Sequence, residues 1–99
     1  MTRVRKSTIT KIRERSVTGA LPAAVIGQVL REARRRQGLT QQQLATPFSA
    51  AFVCSVERGN TMPSLSSLAI LLGRLGISMA EFFIEVERRT DEFAAATNG

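Results

Sequence analysis

Glycine and proline divide most of this 99-residue chain into short segments, and this division limits the possible folds more than any other feature. Within the segments, apolar residues recur every three or four positions, as they do on one face of a helix. Proline lacks a backbone N–H, and glycine readily adopts the left-handed conformation that ends a helix. From Ala23 onward, the dividing residues are Gly38, Pro47, Gly59, Pro63 and Gly76. The pattern predicts five short helices and an all-α domain.

Polar residues at the predicted helix starts support these boundaries. Thr40 begins the sequence Thr-Gln-Gln-Gln, a capping box in which the hydroxyl accepts from the third amide while Gln43 reaches back. Ser78 begins a second capping box, Ser-Met-Ala-Glu. Ser49 and Ser64 are predicted to cap the third and fourth helices.

The composition excludes several kinds of chemistry. The chain has no histidine and a single cysteine, which excludes a Ser-His-Asp triad, a histidine-ligated metal, an intrachain disulfide and a cysteine zinc cluster. No run approaches the 18 or so apolar residues of a membrane span, and the first twenty residues lack the apolar core of a secretory signal. These observations favour a cytoplasmic protein that is not an enzyme and needs no cofactor or metal.

Charge is distributed unevenly along the chain. The net charge is +6, but residues 1–36 hold ten Lys and Arg against two acidic residues, whereas residues 77–99 hold two Arg against five acidic residues. Such a basic front favours binding to a polyanion. Residues 1–22 are predicted to form a flexible basic arm, in which residues 8–12 give the only competing strand signal.

A series of short motifs runs through the predicted helices. In chain order they are Leu-Arg-Glu-Ala-Arg (30–34), Gln-Gly-Leu-Thr-Gln (37–41), Gln-Leu-Ala (43–45), Val-Glu-Arg-Gly (56–59), Pro-Ser-Leu (63–65) and Leu-Gly-Ile-Ser (75–78). Over residues 25–83 this series closely resembles the Cro and phage-repressor helix-turn-helix family, also called the xenobiotic-response-element family. The resemblance implies a five-helix, lambda-repressor-like DNA-binding domain over residues 23–90. The end of the last helix and a tail would then occupy residues 91–99.

One stretch departs from the family pattern. The family usually has a longer connection between the Leu-Ala of helix two and the Glu-Arg-Gly that ends helix three. Here Ala45 is followed by Thr46, Pro47 and Phe48, with no glycine at the turn. Alignment from Glu57 backwards assigns the shortening to the end of helix two, so we expect an altered angle or tightness of the turn.

The resemblance assigns DNA-reading positions to the third helix, at Ser49, Ala50, Ala51 and Ser55. None of these residues can form a bidentate bond to a base, although the alanines could contact thymine methyl groups and the serines can donate or accept. The alternative is that small residues let the helix sit deeply while the shape of the DNA is read.

The resemblance also implies phosphate contacts and one internal ion pair. The pair joins Arg34 of helix one to Glu57 of helix three. Phosphate contacts are expected at the start of helix two, in the loop before helix four and from basic side chains, including those of the arm. The predicted set is Gln41, Arg35, Arg36, Arg58, Asn60, Thr61, Ser64, Arg3, Arg5 and Lys6. Cys54 leans outward near Arg58, which would suit a redox switch. The alternative is that this cysteine is inert, as a lone cysteine on a small helix more often is.

Apolar residues on the last helix predict a dimer interface, since family members commonly pair through this region. The predicted interface residues are Phe82, Phe83, Val86 and Phe93. The leading hypothesis is a homodimeric, sequence-specific transcriptional regulator, a repressor, that binds an inverted repeat in double-stranded DNA. The alternative is an antitoxin that covers a basic toxin with its acidic C-terminal region and also binds its own promoter. A restriction–modification controller would differ only in its gene neighbourhood.

Overall fold

The computed structural model describes residues 22–98, with side chains placed as far as residue 92. Arg3, Arg5, Lys6 and nearly all of the predicted arm therefore lie outside the described residues, as does the side chain of Phe93. The described residues form five helices, α1 (Ala23–Arg36), α2 (Gln41–Ala45), α3 (Ala50–Glu57), α4 (Leu65–Leu75) and α5 (Met79–Asn98). They contain no strand, so the predicted all-α fold is confirmed.

The predicted caps are confirmed at the starts of the helices. At α2, the Thr40 hydroxyl accepts from the Gln43 amide at 3.0 Å, while the Gln43 side chain accepts from the Thr40 N–H at 2.8 Å. Ser78 and Glu81 form the same reciprocal pair before α5, at 3.0 and 3.2 Å. The Ser49 side chain accepts from the Phe52 amide in the first turn of α3, and the Ser64 side chain accepts from the Ser67 amide in the first turn of α4. Each cap supplies a hydrogen-bond acceptor to a backbone N–H that has no partner inside its own helix.

The core is formed by apolar side chains from all five helices. α1 contributes Ile26 and Leu30, α2 Leu44 and α3 Val53, and each of these side chains is at most 1% exposed. The remaining members include Val56, Leu68, Leu71, Leu72, Leu75, Phe82 and Val86. Burying one such side chain contributes about 1.5–3 kcal/mol, so packing rather than helix propensity holds these short helices in place.

α4 and α5 meet at a sharp corner. Gly76 adopts a φ of 69°, and the Ile77 N–H returns to the Leu72 carbonyl at 3.0 Å, which ends α4. The two helices are bent by 103° at this junction. No single helix within residues 22–98 is long and apolar enough to cross a membrane. The bent α4–α5 pair taken together has the length and composition of a span, on those two criteria alone.

An ion-pair network joins α1 to α5. Arg89 on α5 donates to both carboxylate oxygens of Glu32 on α1, at 2.7 and 3.1 Å, and to Glu85 at 2.6 Å. Hydrogen bonds from Arg88 and Arg89 lower the pKa of Glu85 to about 2. Because these side chains remain partly exposed to solvent, the network mainly fixes the position of α5 and adds little stability.

α1 and α3 approach each other so closely that one position on α1 must be glycine. An added Cβ at Gly27 would lie 2.3 Å from the Val56 carbonyl oxygen and 2.6 Å from that of Glu57. Both contacts are with backbone atoms, so a rotamer change could not relieve them. Gly73 on α4 is also helical, but an added Cβ there would meet nothing within 4 Å.

Gly27→Ala is therefore expected to destabilise the chain by about 2–3 kcal/mol, because α1 and α3 must separate. Gly73→Ala is the matched control and should stabilise the chain by about 0.5–1 kcal/mol through lower backbone entropy in the unfolded state. Urea unfolding followed by circular dichroism measures both changes. Equal effects of the two substitutions would contradict the close approach.

Candidate nucleic-acid interface

A short connection at Thr46–Ser49 joins α2 to α3 and sets the orientation of α3. The Phe48 N–H donates to the Ala45 carbonyl, and the Thr46–Pro47 peptide bond is cis. The Phe48 and Phe52 rings lie 5.1 Å apart, and both pack against the core. Aromatic packing thus supports the connection that the sequence predicts to be shortened.

A buried ion pair links α1 to the end of α3. Arg34 donates to Glu57 through Nε at 2.6 Å and through Nη2 at 3.0 Å, and the two side chains are only 9% and 2% exposed. The third donor of Arg34, Nη1, bonds to the Leu39 carbonyl at 2.7 Å. The hydrogen bond to Glu57 raises the pKa of Arg34 above its ordinary value.

The start of α2 joins this pair through a third side chain. Gln41 donates from Nε2 to Glu57 Oε1 at 3.0 Å, so one carboxylate accepts from both α1 and α2. The relative positions of α1, α2 and α3 are therefore fixed around Glu57. This bond could not be predicted from the motifs, because nothing in them shows that residues 41 and 57 meet.

The four predicted base-reading residues differ in accessibility. Ser49 and Ala51 are exposed at the start of α3, whereas Ala50 is half-buried. The Ser49 hydroxyl accepts from the Phe52 amide at 3.1 Å, which leaves its own O–H free to donate outward. Ser55 lies one turn further along, half-buried, with its hydroxyl bonded to that of Thr61.

The basic side chains of α1 lie on two different sides of the helix. Arg31 and Arg35 line a cleft of about 190 Å³ that also includes Gln41, Cys54 and Arg58 and has the Arg34–Glu57 pair in its lining. Arg36 instead lines a cleft of about 360 Å³ between α1 and α5. The structure thus brings together three residues of the predicted phosphate set, separates Arg36 from them, and adds Arg31.

The loop between α3 and α4 holds the remaining predicted phosphate residues. Asn60 and Ser64 are exposed, whereas Thr61 is half-buried beside Ser55. The Ser64 side chain caps α4, accepting from the Ser67 amide at 3.0 Å. In the described part of the chain, no group of three or more Cys, Asp or Glu side chains could hold a metal ion.

The predicted dimer interface needs a correction. Phe82 and Val86 are 1% and 2% exposed and belong to the core, so they cannot also contact a second chain. Phe83 is half-buried against Phe82, with ring centroids 5.2 Å apart. Ile84 is 66% exposed and lies outside the predicted interface. Helical geometry could have found it, since residue 84 lies nearly opposite residues 82 and 86 on the helix.

The known proteins that this chain resembles in sequence, and those that it resembles in structure, are regulators. Over 64 residues the chain is 34% identical to the HTH-type transcriptional regulator PuuR of Escherichia coli (strain K12), and equally to that of Shigella flexneri. The match covers 63% of this chain, which spans only 35% of the length of each of these relatives. No protein-family model matches the chain.

Two solved structures of the clp gene regulator ClgR from Corynebacterium glutamicum resemble the fold. One has a TM-score of 0.73 at 30% identity and covers 80% of this chain and 86% of that chain. The other has a TM-score of 0.63 at 31% identity and covers 69% of this chain and 90% of that chain.

Five helices with the capped α2–α3 pair and these similarities define an all-α helix-turn-helix domain. The chain belongs to the helix-turn-helix transcriptional regulators, and the relatives found here are named as regulators rather than as enzymes.

Glu57→Gln is expected to destabilise the domain by roughly 3 kcal/mol, because it leaves the buried Arg34 charge without its counter-ion. Binding to all DNA sequences should weaken together, since α3 loses its attachment to α1. Thermal unfolding and fluorescence anisotropy with several duplexes measure the two effects. Glu92→Gln, the same change at the exposed Arg88–Glu92 ion pair on α5, is the control and should have a much smaller effect on both. A stable Glu57→Gln variant with one altered base preference would show instead that Glu57 reads DNA.

Proposed function

We propose that this chain is a transcriptional repressor of the Cro and phage-repressor helix-turn-helix family that inserts α3 into the major groove of its operator. The observation that carries the proposal is the start of α3. Small side chains are exposed there, and the buried Arg34–Glu57 pair fixes the helix that bears them. The major groove admits a helix, and the N-terminal part of a recognition helix meets the base edges.

In this arrangement Ser49 donates to a base acceptor, while Ala50 and Ala51 contact thymine methyl groups. Ser55 lies one turn further along α3, and its hydroxyl is already bonded to Thr61. The direct contacts are therefore few, so part of the specificity comes from the shape of the DNA.

Phosphate contacts position the helix on the duplex. Gln41 donates one N–H to Glu57, and its second N–H remains for a phosphate oxygen. Asn60 and Ser64 are exposed in the loop that follows α3 and supply polar groups for the neighbouring backbone. The arm, including Arg3, Arg5 and Lys6, would add further phosphate contacts.

Ala51→Glu tests the placement of α3. A carboxylate at this position would face the bases and phosphates of the groove, so we expect a loss of about 1–3 kcal/mol, or roughly 5- to 150-fold in affinity. The ligand is genomic DNA that the wild-type chain retains, identified by sequencing and then used in anisotropy titrations.

Ala80→Glu is the matched control for this substitution. Ala51 and Ala80 are both exposed, and each is the second residue of its helix. An acidic residue favours the helix start equally at both sites. Ala80→Glu should therefore leave affinity nearly unchanged, with oligomeric state checked by sedimentation. If both substitutions weakened binding equally, α3 would not be the reading helix.

We also propose that the repressor is a homodimer on an inverted repeat. One recognition helix with few polar groups cannot select a site alone, whereas two helices related by a two-fold axis read half-sites about one helical turn apart. On the part of α5 whose side chains are described, the accessible apolar surface is formed by Ile84 with the half-buried Phe83 beside it. This surface is proposed to pair with its copy across the axis.

Ile84→Glu is expected to dissociate the dimer and weaken operator binding without altering the helical content, because Ile84 lies outside the core. Sedimentation at micromolar concentration, with and without DNA, measures the change. Leu65→Glu on α4 is the control, since Leu65 is 67% exposed and Ile84 is 66% exposed. Dissociation by Leu65→Glu alone would move the interface to α4, and a wild-type chain that stays monomeric on DNA would contradict the dimer.

A further inference from the structure

A hydrogen bond between two side-chain hydroxyls joins Ser55 to Thr61. Ser55 lies near the end of α3, and Thr61 lies in the loop that leads to α4. Both residues are half-buried. The bond therefore attaches the loop to one of the four residues predicted to read bases.

The backbone between these two residues keeps Thr61 within reach of Ser55. Gly59 adopts a φ of 79°, and its N–H returns to the Val56 carbonyl at 3.0 Å. The next N–H, that of Asn60, donates to the Ser55 carbonyl at 2.9 Å. This pair of bonds is the Schellman motif that commonly ends a helix. Thr61 thus follows directly after a turn whose position on α3 is fixed.

The start of α1 holds the same turn from the other side. A Cβ added at Gly59 would lie 3.0 Å from the Cα of Ala24 and 3.2 Å from its backbone nitrogen. Because both of these contacts are with backbone atoms, the turn cannot move towards α1 unless that helix moves as well. The loop is therefore held between α3 and α1 at the point where Thr61 begins its contact with Ser55.

The bond to Thr61 keeps the Ser55 hydroxyl out of the orientation that a helix itself offers. A serine or threonine inside a helix can donate to the carbonyl four residues earlier. Thr90 does so on α5, where its hydroxyl donates to the Val86 carbonyl at 2.7 Å. Among the described residues, Ser55 bonds to Thr61 and not to the corresponding carbonyl of Ala51. Its oxygen is held beside the loop rather than folded back on α3.

The Ser55 hydroxyl retains the capacity for one further hydrogen bond. Each hydroxyl has one hydrogen and two lone pairs, and the bond between Ser55 and Thr61 uses one hydrogen and one lone pair. If Ser55 is the donor, its lone pairs can still accept; if Thr61 is the donor, Ser55 keeps its own hydrogen. Since base edges in the major groove offer both donors and acceptors, Ser55 can bond to a base in either case.

We infer that Thr61 is a positioning residue for DNA recognition, which holds the Ser55 hydroxyl at one base edge through the bond between the two side chains. This role rests on the proposed function and makes it more specific. It moves Thr61 from the predicted phosphate contacts to the control of base preference. Without the Thr61 hydroxyl, Ser55 would turn back to the Ala51 carbonyl, and the base would lose its contact.

Thr61→Val tests this role, because valine keeps the branched shape of threonine and lacks its hydroxyl. The ligands are duplexes of the genomic DNA that the wild-type chain retains, with each base pair replaced in turn and affinities measured by anisotropy. At the base pair that Ser55 contacts, the preference should fall by roughly three- to tenfold, which is the value of one neutral hydrogen bond. Preferences at the other base pairs should not change.

Two further variants separate positioning from a general loss of stability. Thr90→Val is the matched control, since it also removes the hydrogen-bonded hydroxyl of a half-buried threonine, but on α5. It should lower the melting temperature about as much as Thr61→Val and leave every base preference unchanged. Thr61→Ser keeps a hydroxyl and should keep most of the wild-type preference. An equal loss of preference in Thr90→Val would overturn the positioning role.

Ser55→Ala shows whether Thr61 acts through Ser55. The substitution should lower the preference at the same base pair as Thr61→Val. The double variant should then lose no more than Ser55→Ala alone, because Thr61 has nothing left to position. If the two losses add in full, Thr61 contacts the DNA directly, and the positioning role is wrong.

The results distinguish failure of the positioning role from failure of the proposed function. If the wild-type chain binds DNA and Thr61→Val weakens binding to every duplex by one factor, Thr61 does not act on base preference, and the proposed function stands. If the wild-type chain binds no DNA at all, the proposed function fails together with the positioning role. A preference that is lost at one base pair in Thr61→Val, and kept in Thr61→Ser and Thr90→Val, supports both.

Discussion

The buried ion pair between Arg34 and Glu57 is the interaction on which the rest of this structure depends. Removing two charges from water costs several kcal/mol per ion, so the net stability gained over apolar packing is small. The pair mainly fixes the orientation of the helices, because a guanidinium and a carboxylate form two parallel hydrogen bonds in only a few relative geometries. Gln41 donates to Glu57, and the Leu39 carbonyl accepts from Arg34, so α1, α2 and α3 meet around the Glu57 carboxylate.

α1 extends this positional constraint to the rest of the domain, because it contacts both α3 and α5. On one side, Gly27 lets the α3 carbonyls approach, and Arg34 then fixes the rotation of α3. On another side, Glu32 receives Arg89 from α5. The helix proposed to read DNA and the helix proposed to form the dimer are thus both positioned by α1. In a two-fold dimer, the distance between recognition helices depends on such rigid connections within each chain.

Local patterns predicted the helices well, because caps and breakers act through neighbouring residues. Thr40, Ser49, Ser64 and Ser78 cap the helices as the sequence predicts. Periodicity was less informative for the surface, since a stripe of apolar residues does not show which neighbour covers it. Phe82 and Val86 therefore proved to be core residues. The grouping of Arg31 with Arg58 likewise depends on how α3 packs against α1, which no single segment encodes.

The small side chains at the start of α3 explain why rigidity matters here. A bidentate arginine or glutamine can select a base even when its helix moves slightly, because a long side chain adjusts. Serine and alanine cannot adjust, so their contacts depend on the position of the backbone. In the proposed complex, specificity must then come from holding α3 at one depth and angle against the shape of the groove. In the proposed complex, the buried Arg34–Glu57 pair thereby supports base discrimination by small side chains that are themselves uncharged.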